Sequence, residues 1–327
     1  MSATLAYPVE PGPPGFEGRG RVVDRLFHGV TAAAAWLVLL LLGSVAVAMA
    51  WGGRLAFKTF GLGFITGSDW DVPAAKFGAL VPIYGTLMTS IIALIIAVPV
   101  SIGIALFLTD IAPRWTRGPI AIAIELLAAI PSIIYGMWGL FVFAPFMALH
   151  VEPWLTDHFG NKAIIGPLFS GPPIGIGMLT AGIVLGVMVI PFISSVAREV
   201  FSAVPPALKE SAVALGSTRW EILSRVTLPY TRSAIIGAIF LGLGRALGET
   251  MAVTFVLGNA HDLSASLLMP SNSIAAAIAN EFTEADTDLY RSSLIALGFL
   301  LFVVTFIVLT IAKLMLMRMD RAFGRTH

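Results

Sequence analysis

The chain has 327 residues, of which 57% are hydrophobic and 12% charged, and its formal net charge is +1. Soluble domains carry roughly a quarter charged residues, so this composition cannot cover a water-facing surface. The near-neutral balance gives no nucleic-acid signal, and the absence of cysteine excludes disulfides, thiolate metal sites and cysteine nucleophiles.

Long apolar segments recur along the chain, each about as long as the roughly 20 residues that cross a hydrocarbon core. They predict an all-α polytopic membrane protein with six transmembrane helices, because helices satisfy their backbone hydrogen bonds internally. We expect a transmembrane domain over residues 25–320, with spans at about 30–49, 83–109, 120–147, 174–196, 233–257 and 294–316.

The N-terminal segment, residues 1–24, is rich in proline and glycine and predicts a flexible tail. Ala48-Met49-Ala50 resembles a signal-peptidase site, but the apolar run before it is longer than a signal core. We therefore expect an uncleaved first span and a second short tail at residues 321–327.

Positive charges are unevenly distributed between the two sides of the predicted spans. Of the 20 Lys and Arg residues, Arg245 lies within a span and 14 fall on the side of both termini. The opposite side holds only Arg54, Lys58, Lys76, Lys162 and Arg291. Because cytoplasmic loops carry the excess of Lys and Arg, we expect both termini in the cytoplasm.

The last loop on the opposite side is acidic, with Glu281, Glu284, Asp286 and Asp288. Its spacing begins like a calcium loop, but Leu289 stands where the turn glycine is needed. A solvated face and a docking surface for an external partner both remain open for this loop.

The predicted fifth span contains Arg245 and Glu249, four residues apart and hence on one face of a continuous helix. Ionised groups within a membrane usually face a bundle interior or a water-filled path. A guanidinium suits tetrahedral oxyanions, and the carboxylate could hold it between ligands. A substrate pathway and a structural ion pair are the two interpretations.

The third span carries Glu125, followed by the run from Ile130 to Gly136, in which Pro131 and glycine favour a local opening of the helix. Glu125 lies near the cytoplasmic end, so it has either a direct role in transport or a place at the membrane interface.

The cytoplasmic loop, residues 199–231, is a polar stretch within an apolar chain. Its prolines and Gly216 predict one short helix over 207–215, and Ser217 and Thr218 can cap a second over 219–226 that stops before Pro229. Such exposed helices favour docking into the groove of another protein.

This loop resembles the EAA loop of binding-protein-dependent ABC importer permeases, whose pattern is Glu-Ala-Ala, three residues, Gly, nine residues, Ile-x-Leu-Pro. Ser211 replaces an alanine and Val226 the isoleucine. The residues that match the pattern are Glu210, Ala212, Gly216, Leu228 and Pro229.

Within that superfamily the chain resembles the PstC-type permease subunits of phosphate importers over roughly residues 25–320. The residues that carry this likeness are Phe77-Gly78 through Gly85-Thr86-Leu87, Ile130 to Gly136, and Leu243-Gly-Arg-Ala-Leu-Gly-Glu-Thr-Met-Ala252. The resemblance implies the type I ABC importer permease fold and a place in the bacterial cytoplasmic (inner) membrane.

The resemblance also implies roles for residues and partners. Arg245 and Glu249 would line the phosphate pathway, and the EAA loop would dock on a PstB-like ATPase dimer. A PstA-like second permease would complete the pore, and a PstS-like external binding protein would deliver phosphate.

The sequence contains no Gly-x4-Gly-Lys-Ser/Thr loop and no nucleophile beside a base, so we expect a transport subunit and not an enzyme. ATP and magnesium would bind the ATPase, and no cofactor or metal is expected on this chain. The alternatives are a permease for sulfate or molybdate and an ion-coupled secondary transporter.

Overall fold

The computed structural model describes residues 16–322, with side chains described from residue 23 to residue 318. This part of the chain is mostly helical. Its helices are α1 (Phe16–Gly52), α2 (Arg54–Phe60), α3 (Gly63–Thr66), α4 (Leu80–Leu106), α5 (Arg114–Ala129), α6 (Ser132–Trp138), α7 (Ala144–Phe146), α8 (Glu152–Phe159), α9 (Met178–Ser202), α10 (Pro206–Ala214), α11 (Arg219–Ile222), α12 (Leu228–Leu247), α13 (Met251–Leu257), α14 (Ile274–Glu281) and α15 (Asp288–Ala322).

Wider and tighter turns connect several of these helices. π turns extend or join them at Phe107–Ile111, Gly139–Phe143, Met147–Val151 and Leu223–Thr227, and a 3₁₀ turn covers Gly166–Phe169. Two short antiparallel strands, β1 (Trp70–Asp71) and β2 (Lys76–Phe77), pair Trp70 with Phe77.

Six helical stretches of the described chain are long and apolar enough to cross a membrane. They are span one (Val23–Gly52), span two (Leu80–Ile111), span three (Ser132–Phe159), span four (Met178–Ser202), span five (Arg219–Leu247) and span six (Asp288–Arg318). The prediction of an all-α fold with six membrane-spanning helices is confirmed.

The chain divides into two compact units, the first ending at Trp51 and the second beginning at Gly52. In the first unit, α1 begins at Phe16, so residues 16–24 of the predicted flexible tail are helical. The helix starts soon after Pro14, the last proline of the segment. The rest of the predicted tail, residues 1–15, and residues 323–327 of the C-terminal tail lie outside the described residues.

The third span differs from its prediction at residues 120–147, because the helix is interrupted at Ile130 and Pro131. Ile130 is extended, with ψ of 128°, as the residue before a proline prefers. Tyr135 bridges the interruption by donating its hydroxyl to the Leu127 carbonyl at 2.9 Å. The stretch long enough to cross a membrane begins after the break, and α5 is a separate helix.

The core of the second unit forms around α9, which packs along α4. Gly182 permits this close contact, because a Cβ there would lie 2.5 Å from Ile92 Cγ2. The buried cluster includes Ala93, Val184, Leu185 and Leu257. This packed centre holds the interrupted helices in position.

Candidate functional site

The coupling loop, which we define as residues 203–218, connects span four to span five. Pro205 is extended, and Pro206 occupies the first turn of α10, where a missing N–H costs nothing. Gly216 then takes a φ of +84°, a left-handed conformation that glycine adopts readily. Its N–H donates to the Val213 carbonyl at 2.9 Å and ends α10.

The predicted cap at Thr218 is confirmed. Its hydroxyl accepts from the Glu221 N–H at 3.3 Å, and the Glu221 carboxylate accepts from the Thr218 N–H at 2.9 Å. This reciprocal pair is a capping box, and it fixes the start of α11.

The predicted stop before Pro229 is wrong, since α11 continues into α12. A π turn covers Leu223–Thr227, and the Leu228 N–H donates to the Leu223 carbonyl, five residues back. This shift of hydrogen-bond register comes just before Pro229. The proline then lies in the first turn of α12, where a backbone N–H is not required. The second loop helix is therefore the start of span five.

The predicted coupling residues divide by burial. Ala212 is buried and Leu228 packs against the cluster around Phe201, whereas Glu210, Gly216 and Pro229 are exposed. The small side chain of Ala212 suits the packing of α10 on the π turn at the start of span five.

The two most exposed large apolar side chains of the coupling loop follow Glu210 in the sequence. Val213 is 60% exposed and Leu215 is 87% exposed. Apolar side chains outside the spans that no described part of the chain covers are typical of a surface for a partner.

The second predicted site lies where α12 ends. The prediction that Arg245 and Glu249 share a face of one continuous helix is wrong, because α12 ends at Leu247 and α13 begins at Met251. Gly248 ends the first helix. Within the described chain no carboxylate lies within 4.0 Å of the Arg245 guanidinium, so the ion pair, one of the two interpretations, is absent.

Arg245 lies at the end of α12, whereas Glu249 interacts with the start of α13. Arg245 lies in the last turn of α12, where a positive charge complements the helix dipole. Glu249 Oε1 accepts from the Ala252 N–H at 3.3 Å, which satisfies a free donor at the start of α13. Arg245 is exposed and its guanidinium carbon lies 6.0 Å from the Phe192 ring centre.

The two interrupted helices meet, because α13 packs on α6. At Gly136 of α6 a Cβ would lie 3.0 Å from the Ala252 Cα and 2.8 Å from Phe255 Cδ2. Only glycine allows this approach without displacement. The break at Pro131 and the break at Gly248 therefore belong to one packed region, a geometry typical of substrate sites in membrane transporters.

At the opposite end of α4 from the coupling loop, Glu281 is not part of a solvated face. Its Oε2 accepts from the Trp70 indole at 2.8 Å and from the Tyr290 hydroxyl at 2.7 Å, and its Oε1 accepts from His261 Nε2 at 2.8 Å. The His261 ring stacks on Trp70, with centres 5.2 Å apart. We call these four residues the Glu281 cluster.

Opposing effects act on the Glu281 carboxyl. Burial raises its pKa, whereas the hydrogen bonds from His261, Tyr290 and Trp70 and the attraction of His261 lower it. The net result is a pKa below the ordinary value, so the ionised form is favoured by folding.

Two ion pairs near the coupling loop join residues that are distant in the sequence, so no local pattern predicts them. Lys209 Nζ lies 2.6 Å from Asp110 Oδ1, although the residues are 99 positions apart. Arg198 Nη2 lies 2.7 Å from Glu125 Oε1, which gives Glu125 a partner at the end of span four. The part of the chain that the structure describes contains no cluster of three His, Asp or Glu side chains able to hold a metal ion.

Comparisons with known proteins add a family likeness. The family model described as "Binding-protein-dependent transport system inner membrane component" matches residues 97–321. The phosphate transport system permease protein PstC of Xylella fastidiosa (strain Temecula1) is 58% identical, with 99% of this chain and 100% of that protein covered. The PstC of Mesorhizobium japonicum is 56% identical, with 94% of each chain covered. A solved structure of the inward-facing MetNI methionine ABC transporter matches with a TM-score of 0.49 and 18% identity, covering 74% of this chain and 94% of that one.

Proposed function

The chain belongs to the family of binding-protein-dependent transport system inner membrane components, and from that premise we propose that it is the permease subunit that carries inorganic phosphate inwards in an ATP-driven importer. The observation that carries this proposal is the near-complete likeness to proteins named as phosphate permeases, at 56–58% identity. The likeness includes the region of both helix breaks. Sulfate, molybdate and ion-coupled alternatives have no comparable support.

Arg245 is the substrate-pathway residue of this proposal. It is exposed at the end of α12, yet it lies in an apolar helix of a membrane protein. A charge in that position needs water, an anion or a partner chain. With no carboxylate within 4.0 Å in the described chain, the guanidinium keeps its donors for an oxyanion such as phosphate.

Glu249 has a positioning role in the same pathway. Its carboxylate caps α13 and so helps to fix the break that follows Arg245. In this arrangement Arg245 offers transient pairing to the anion, and Glu249 maintains the geometry of the interrupted helix.

Energy reaches the chain through the coupling loop. The exposed Val213 and Leu215, beside Glu210, form the surface that docks in a cleft of a PstB-like ATPase dimer. ATP and magnesium bind that ATPase, because this sequence lacks a phosphate-binding loop. The chain performs no covalent chemistry, and its spans alternate between outward and inward access.

A PstA-like second permease completes the pore by packing against α12. A Cβ at Gly237 would meet no described atom within 4 Å, and one at Gly244 would meet only Leu309, at 4.0 Å. Open glycines on a membrane helix favour close packing with another helix. Arg245 adjoins this face and would lie at the boundary between the two permeases.

The orientation follows the charge distribution. Both termini and the coupling loop lie in the cytoplasm, and the Glu281 cluster faces the outside of the cytoplasmic membrane. A PstS-like binding protein delivers phosphate to that outer side.

Reconstituted uptake tests the proposal. The complex of this chain with its second permease, ATPase and binding protein, placed in proteoliposomes, should accumulate labelled phosphate only when ATP is supplied to the ATPase. A variant ATPase that binds but cannot hydrolyse ATP should abolish uptake. Undiminished uptake with that variant would contradict an ATP-driven importer, and preferential uptake of sulfate would contradict the substrate.

A further inference from the structure

Lys209 connects the coupling loop to a distant span. It precedes Glu210 on α10, and its Nζ lies 2.6 Å from Asp110 Oδ1. The Lys209 side chain is 24% exposed and that of Asp110 is 30% exposed. The pair is therefore partly shielded from water and less screened than a fully solvated one.

The backbone of Asp110 is part of a helical stretch. It lies in the π turn Phe107–Ile111, which continues α4 without a gap. Leu108 in the same turn is buried, which fixes this turn against the interior. A displacement of Lys209 would thus act on the end of α4 and not on a loose side chain.

The end of α4 near Asp110 is packed into the interior. Ala105 belongs to a buried cluster with Ala197 and Phe201 of α9 and Ile235 of α12. Movement of this end therefore has to displace the neighbouring spans or move α4 as a body.

The opposite end of α4 contacts the segment that leads into α14. The Ile274 N–H donates to the Thr86 hydroxyl at 3.0 Å. A Cβ at Gly85 would lie 2.1 Å from the Asn272 carbonyl oxygen, so the backbones touch. Thr86 and Asp110 are 24 positions apart, so the helical stretch between the two contacts is about 35 Å long.

We propose that the Lys209–Asp110 ion pair is a tether that transmits movement of α10 to α4, and through α4 to the segment around Asn272. This inference rests on the proposed docking of the ATPase at α10. The chain itself supplies one route, from α10 through α11 into α12. The tether supplies a second route, into span two, so that both spans move with the ATPase.

A matched pair provides the control. Arg198 and Glu125 form an ion pair of nearly equal length, 2.7 Å, between α9 and α5, and neither residue belongs to α10. Asp110→Asn and Glu125→Gln both replace a carboxylate by an amide of the same shape. Only the first removes a link to the coupling loop.

The experiment measures ATP hydrolysed per phosphate transported by the reconstituted complex. Asp110→Asn and Lys209→Met should each raise this ratio roughly threefold to tenfold, the range expected for loss of one coupled contact. The double variant Asp110→Lys with Lys209→Asp should restore the ratio to within about twofold of wild type, since the opposite charges again face each other. Glu125→Gln should leave the ratio unchanged.

Three results would overturn the tether. In the first, Asp110→Asn and Lys209→Met behave like Glu125→Gln. In the second, the charge-swapped variant is no better than the single variants. In the third, the single variants lose the ATPase from the purified complex, because the pair would then maintain the docking surface and not transmit movement.

Gly216→Val in the same assay separates this inference from the docking on which it rests. If Gly216→Val keeps the ATPase and a normal ratio, docking at the coupling loop fails and the tether fails with it. If Gly216→Val loses coupling while Asp110→Asn does not, docking stands and only the tether fails.

Discussion

The coupling loop and the end of α12 both expose side chains whose polarity differs from that of their surroundings, in opposite senses. The loop exposes apolar Val213 and Leu215 outside the spanning core, whereas α12 exposes the charged Arg245 within it. Both arrangements cost free energy in an isolated chain. The loop then leaves apolar surface in water, and α12 leaves a charge in an apolar layer. Under the proposed function, a protein surface would cover the first region, and the second would face an anion or a water-filled path.

Removing the charge of Arg245 should have the largest effect. Arg245→Gln should reduce phosphate uptake about 100-fold or more, equivalent to about 3 kcal/mol, since the anion loses a charged donor. Co-purification of the ATPase should be unchanged, because the coupling loop is intact. Uptake of labelled phosphate and the subunit composition of the complex are the measurements.

The control for this variant is Arg198→Gln, which also removes an arginine but one paired with Glu125. It should retain most of the uptake. Near-normal uptake by Arg245→Gln would remove Arg245 from the pathway.

Backbone strain in the coupling loop should have the next largest effect, on binding of the ATPase. Gly216→Val places a β-branched side chain at a φ of +84°, which costs about 1–3 kcal/mol, and should weaken retention of the ATPase about tenfold. Binding of the purified ATPase to the permease complex measures this.

Gly216→Asn is the matched variant, because asparagine tolerates the left-handed conformation better than other residues with side chains. It should retain most of the binding. A Cβ at this position meets no described atom, so equal losses in both variants would rule out backbone strain as the cause.

The third variant tests the contact between the two helix breaks. Gly136→Ala forces a methyl group against α13, at 3.0 Å from the Ala252 Cα, and should lower the unfolding free energy by about 1–3 kcal/mol. The melting temperature of the complex in detergent should fall. Gly103→Ala, at a helical site of α4 where a Cβ meets nothing within 4 Å, should be neutral or slightly stabilising.

An effect no larger than that of Gly136→Ala is expected at the Glu281 cluster. Glu281→Gln should lower the unfolding free energy by about 1–3 kcal/mol at neutral pH, through the loss of charge-assisted hydrogen bonds. Because folding lowers the pKa of Glu281, this stabilisation is present above the unfolded-state pKa and is lost as the pH falls through the folded-state pKa.

Thermal unfolding at several pH values tests this sign. The difference between wild type and Glu281→Gln should shrink as the solution is acidified below about pH 4.3. Exposed Glu284 offers the control, since Glu284→Gln should change stability by less than about 0.5 kcal/mol. A difference that grows on acidification would contradict the assigned hydrogen bonding.

Local signals in the sequence predicted the features that depend on neighbouring residues. The six spans follow from apolar length, the start of α10 from Pro206, and the cap of α11 from Thr218 and Glu221. In each case the determining groups lie within one helix or one turn, so tertiary structure is not needed to recognise them.

Features that depend on distant contacts were missed or predicted wrongly. The Lys209–Asp110 pair joins residues 99 positions apart, which no periodic pattern reveals. Periodicity also placed Arg245 and Glu249 on one helical face, but Gly248 ends α12 between them and α13 packs against Gly136 instead. The π turn before Pro229 likewise allows a helix to continue where proline predicts a stop.

Labelling of single cysteines tests the central claim, that the coupling loop docks an ATPase in the cytoplasm. The chain has no cysteine of its own, so Leu215→Cys and Ile164→Cys each give one reactive thiol at a site 87% and 89% exposed. In inside-out vesicles a membrane-impermeant maleimide should label Leu215→Cys when the ATPase is absent and fail to label it when the ATPase is bound. Ile164→Cys should react only from the opposite side of the membrane, with or without the ATPase. Labelling of Leu215→Cys from outside the cell, or labelling that the ATPase does not change, would contradict the account.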